Sequence, residues 1–160
     1  MYNINDVCDF VILRAKSDED IPLNNLKLQK LLYYIQAWHL AFYDEPFFNG
    51  KFQAWVHGPV NREIYNRFRD TKYLYSEITK RDVINPNCSD LIDVEDRNHI
   101  NNVLDTYLQF SGVQLESWTH NEPPWLFARK GYSSVHSCEV ELDEDIMKKY
   151  FKSKINAEVH

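Results

Sequence analysis

Apolar positions recur most regularly between residues 26 and 42. Leu28, Leu31, Leu32, Ile35, His39 and Phe42 follow one another at steps of three and four, tracing one face of a helix. A second stripe of Tyr34, Trp38 and Ala41 lies beside the first. The helix is therefore apolar around much of its circumference and is expected to run through the middle of the core. Pro22, Asn24 and Asn25 punctuate the chain before it, and Asp44, Glu45 and Pro46 end it. An earlier helix is predicted over 6–16, capped by Asn5, with Val7, Phe10, Val11 and Arg14 on one face and a polar break at 17–20.

After the central helix the period changes. Residues 52–56 are short, aromatic and bounded by Gly50 and Gly58, which favours an extended piece or one edge strand. Pro59 is expected at the first position of a third helix, where its missing donor costs nothing, with Ile64, Tyr65 and Phe68 buried. The pattern weakens over 72–90, the segment expected to be most mobile, with a turn at 85–87. Asp93 begins a fourth helix carrying Val94, Ile100, Val103, Leu104, Tyr107 and Leu108. Ser111 with Gln114 three residues on spells a capping box for a fifth, whose Leu115 and Trp118 are expected to face inward. Pro123 and Pro124 break the chain before Trp125, and a short turn through Ala128 and Arg129 ends at Gly131, a left-handed cap. A second short strand is predicted over 138–142. Asp143 caps a last helix through Tyr150. The fold class is mainly α: one compact bundle of five to seven helices over 1–151, with at most a small two-stranded β element, then a polar, frayed tail over 152–160.

Composition narrows the function classes. With 160 residues the chain suits a single core, and no apolar run approaches the ~20 residues of a membrane span. The N-terminus lacks a basic stretch followed by an unbroken apolar one, so a cytoplasmic location and no membrane partner are expected. Cys8, Cys88 and Cys138 are far apart and unpaired in spacing, which reads as reduced thiols. A net charge of −6 opposes binding to phosphate backbones, so no direct nucleic-acid contact is expected. Only 4 glycines leave little for a nucleotide cradle, and no His or Glu spacing suits a metal. Neither cofactor nor metal is expected.

One span concentrates unusual chemistry: Ala54, Trp55, Val56, His57, Gly58, Pro59, Val60. A large aromatic, a titratable ring and a preset backbone turn lie within a few residues, which suggests a recognition corner. Its ordinary reading is structural, with His57 satisfying a local hydrogen bond and Gly58 and Pro59 serving the backbone. Trp118, His120, Pro124 and Trp125 form either an exposed aromatic lip or a pair of rings that closes the core, and the double proline favours Trp125 for exposure. Tyr33, Tyr34 and Trp38 are core packing. His57, Glu63 and His120 hold the atoms for acid–base chemistry of a small hydrolase, provided the fold brings them together.

Three blocks carry a family resemblance. The first runs Leu28, Gln29, Lys30, Leu31, Leu32, Tyr33, Tyr34, with Ala37 and Trp38 following. The second is the 54–60 span with Glu63 and Tyr65 after it. The third is Leu115, Trp118, Thr119, His120, Pro124, Trp125, Ala128 and Arg129. In this order they resemble the Panacea domain, the SocA-like antitoxin domain also met in phage-associated proteins, across about 6–142. The resemblance implies a non-enzymatic antitoxin that counteracts a cognate protein toxin by direct contact. It implies, as an alternative, an adaptor presenting that toxin to a cytosolic protease. The candidate partner-binding residues are Trp55, His57, Gly58, Pro59, Glu63, Tyr65, Trp118, His120, Pro124 and Trp125. The acidic balance would steer a basic toxin towards such a surface. Some relatives carry a DNA-binding domain for which this chain leaves no room, so autoregulation by this chain alone is not expected.

Overall fold

Asparagine side chains start three of the helices. In the computed structural model, which describes residues 1–17 and 20–159 (the side chains of 158 and 159 excepted), Asn3 rather than Asn5 caps α1 (Ile4–Ala15). Asn24 caps α2 (Asn25–Tyr43) through the Lys27 amide at 2.8 Å. Asn61 caps α3 (Arg62–Phe68) through the Ile64 amide at 3.1 Å. Part of the polar break expected at 17–20 lies outside the described residues. α4 (Val94–Tyr107) and α5 (Gly112–Thr119) follow, and the Ser111–Gln114 capping box is present in both directions. Pro123 and Pro124 open α6 (Pro123–Ala128), and Gly131 follows with φ +90°. α7 (Glu144–Val159) begins where the Asp143 carboxylate accepts the Asp145 and Ile146 amides. It continues through the stretch expected to be a frayed tail and buries Phe151.

α2 is the axis of the molecule, with α4, α5 and α7 packed around it. Its apolar side chains, Leu28, Leu31, Leu32, Tyr33, Tyr34 and Ile35, are fully buried. Its buried Lys27, Gln29, Lys30, Gln36 and His39 bond the backbone of neighbouring segments. Gln36 accepts from the Phe47 and Phe48 amides and donates to the Phe48 carbonyl at 3.1 Å. Gln29 accepts from the Asn61 amide at 2.9 Å and donates to its carbonyl. An amide in an apolar helix is stable only with such partners. The stripe runs out at its C-terminal end, where Phe42 is exposed; Val94, on α4, is exposed as well.

The 72–90 connector carries two short 3-10 turns, Lys80–Asp82 and Cys88–Leu91. It is tied down by Asp9 of α1, whose buried carboxylate pairs with Arg67 at 2.5 Å and accepts the Ile84 and Asn85 amides. All three cysteines are free and buried.

The largest departure from the sequence expectation is Pro59. It stands in a strand, not at the head of a helix. β1 (Gln53–Trp55) pairs antiparallel with β2 (Gly58–Val60), Ala54 opposite Pro59, and the two-residue turn Val56–His57 joins them. The Ala54 amide points the other way, donating to the Val140 carbonyl at 2.8 Å. Pro59 therefore faces a position that asks for no N–H, which is where a strand tolerates proline. The strand expected over 138–142 is reduced to a single bridge of Glu141 with Gln53, flanked by the Leu142 amide donating to Phe52.

Candidate functional site

Each carbonyl at the turn end of β1 is claimed by a side chain from the α5–α6 region. Arg129, buried at the end of α6, donates from Nη1 to the Ala54 carbonyl at 2.6 Å. The Trp125 indole N–H donates to Trp55 at 2.8 Å, and His120 Nε2–H donates to Val56 at 2.8 Å. His120 stacks on Trp125 at 4.3 Å, and the Arg129 guanidinium lies over the Trp125 ring at 5.0 Å. Further guanidinium bonds from Arg129 reach the carbonyls of Ser133 and His136. Burial lowers the His120 pKa, partly offset by the carbonyl it holds. These donors clamp the hairpin from below, and Trp125, expected to be exposed, is only 5% accessible. The prolines start a helix instead of holding a loop, and that helix turns the indole inward.

Above the clamp lies a groove of about 420 Å³ lined by Leu26, Lys30, Trp55, His57, Tyr65 and Cys138 among others. Trp55 is held against Tyr65 at 4.8 Å and beneath the Arg62 guanidinium at 4.8 Å, and Arg62 in turn pairs with Glu139 at 2.7 Å. His57, half exposed, bonds through Nδ1 to Glu116 at 2.7 Å. Lys30 is fully buried, donating to the Pro59 carbonyl at 3.0 Å. Desolvation brings its pKa down to about 7, against the pull of Glu116. Gly58 closes over it with φ +97°; a Cβ there would stand 2.5 Å from Lys30 Cε and 2.8 Å from Thr119 Oγ1.

The ten residues singled out from the sequence are thus divided. Trp55, His57 and Tyr65 line the groove; Gly58 and Pro59 are buried in β2 and do not line it; His120, Pro124 and Trp125 lie beneath. Glu63 is exposed on α3 and accepts from Asn5 Nδ2 at 2.9 Å. His57 takes its carboxylate from Glu116 instead, and His120 has its Nε2–H engaged by a carbonyl, so His57, Glu63 and His120 do not assemble as a catalytic set. Trp118, expected to face inward, is 40% accessible because Leu115 and Thr119 take the inner face of α5. It belongs to a different pocket. Sequence reasoning missed Lys30, Glu116 and Arg129 as neighbours of the corner. The available signals were a lysine inside a largely apolar helix and the place of Lys30 and Arg129 in the motif blocks.

The family described as Antitoxin SocA-like, Panacea domain, matches residues 28–126. The chain is also similar to Antitoxin SocA of Caulobacter vibrioides, 30% identical over 139 residues that cover 83% of this chain and 74% of that protein. No solved structure matches significantly.

Proposed function

The chain belongs to the SocA-like antitoxin family with a Panacea domain, and from that premise we propose that it neutralises a cognate protein toxin in the cytoplasm by direct binding, without chemistry of its own. The observation that carries this reading is the groove beside the hairpin. Its wall is an aromatic ring held by two neighbours, Trp55 against Tyr65 and beneath Arg62, on a backbone whose carbonyls are already bonded. Rigid aromatic and arginine anchors lose little entropy on docking and dominate interface energetics. The His57–Glu116 pair stands at the rim. The net charge of −6 favours encounter with a basic toxin, an effect that salt would weaken.

Co-expression with the product of the neighbouring gene tests the proposal. Restored growth together with a co-purifying complex is the expected result, and Trp55→Ala is expected to weaken the complex at least tenfold. Restored growth with disappearance of the toxin protein would replace direct neutralisation by the adaptor mechanism. Absence of both toxicity and complex would sink the antitoxin pairing with that gene product.

A further inference from the structure

A second pocket, of about 400 Å³, opens between α4, α5 and α7, away from the hairpin. Tyr107, Trp118 and Tyr150 bring three aromatic rings to it, and Glu122, the residue before α6, brings a carboxyl group. Glu122 is 5% accessible. Tyr34 donates its hydroxyl to Oε2 at 3.1 Å, while Oε1 is buried without a hydrogen-bond partner among the described residues. A buried carboxyl with one idle oxygen is costly, so the group calls for a role that repays the cost.

The nearest cation does not supply that partner. Lys154 lines the same pocket, but its ammonium lies over the Tyr150 ring at 5.1 Å and the Phe151 ring at 5.8 Å and forms no ion pair with Glu122. Burial raises the Glu122 pKa to about 7, against the pull of Lys154 and Tyr34, so no internal group holds it firmly as a carboxylate. Aromatic faces and a carboxylate attract the same kind of ligand: an organic cation whose charge rests on the rings while its N–H groups reach the oxygen. Trp118 is the accessible ring of the three, and it stands on edge against Tyr107 and Phe110.

We infer that this pocket takes a cationic side chain, a lysine ammonium or an arginine guanidinium, with Glu122 as its counter-charge and Trp118 as its open aromatic wall. The proposed antitoxin role enters only in making a partner protein the carrier of that cation. The pocket itself is tested without the partner.

The probes are Nα-acetyl-lysine methylamide and Nα-acetyl-arginine methylamide, titrated at pH 8 into the full chain while the Trp118 indole N–H resonance is followed. The neutral norleucine analogue serves as the isosteric control. At least one cation is expected to shift that resonance saturably in the millimolar range, and norleucine is expected to leave it in place. Glu122→Gln should weaken the cation at least tenfold. Lys154→Met, which removes the resident competitor, should strengthen it two- to fivefold and still fold, because Lys154 lies at the rim. Equal shifts from norleucine, an unchanged response in Glu122→Gln, or no saturable shift in either the wild type or Lys154→Met would overturn the assignment. Loss of cation binding would leave the co-expression result unaffected, so the two readings fail separately.

Discussion

The groove beside the hairpin buries a lysine, Lys30, and the pocket beside Trp118 buries a glutamate, Glu122. In the groove, Lys30 has its carbonyl partner and a glycine closed over it, and the neighbouring backbone is bonded to His120, Trp125 and Arg129. In the pocket, Glu122 keeps one oxygen unused beneath partly open aromatic rings. For these two side chains the difference separates a polar group that completes the fold from one left over by it. Only the leftovers are free to spend their bonding on something that arrives later.

The two tryptophans give the sharpest break of this contrast. Trp125→Ala removes a buried ring and the side-chain donor to the Trp55 carbonyl, and should cost about 3–5 kcal/mol in chemical denaturation. Trp118→Ala should cost under about 1 kcal/mol and act on binding instead. Comparable losses from both would erase the division between scaffold and surface.

Gly58→Ala tests how tightly the groove is closed. It forces a Cβ against Lys30 and Thr119 in a left-handed conformation, for an expected loss of about 2–4 kcal/mol. Shortening Lys30 in the same chain should recover part of that loss. If the double variant recovers nothing, backbone strain alone accounts for the cost.

The buried charges predict opposite pH dependences of smaller size. Glu122 has a folded pKa raised from 4.5 to about 7, so the folded state binds the extra proton between those values. Its contribution to stability falls as pH rises through that window and stays lost above it. Lys30 has a folded pKa lowered from 10.5 to about 7, so the unfolded state binds the extra proton above 7, and stability rises from there towards pH 10.5. Urea midpoints at pH 5, 7 and 9 should show Glu122→Gln removing the lower slope and Lys30→Met the upper one, each worth roughly 1–3 kcal/mol. A slope that survives its substitution would assign that titration to another group.

Local patterns were enough for much of the helical framework. The spacing of Leu28, Leu31, Leu32 and Ile35 determined a central helix, because burial on one face requires that period. Ser111 and Gln114 determined a helix start through bonds that span only three residues. The order of the three motif blocks was enough to place the chain in its family. Tertiary structure decided the rest, wherever a group's partner lies far along the chain. Pro59 became a strand residue because Ala54 bonds to Val140, and Trp125 turned inward because α6 carries its indole N–H to a carbonyl 70 residues earlier. Trp118 was left outside because Thr119 took the inner face, and Lys30 was buried because the hairpin folds back over α2. Periodicity records which side of an element is apolar; it carries no information about which distant polar group will be waiting there.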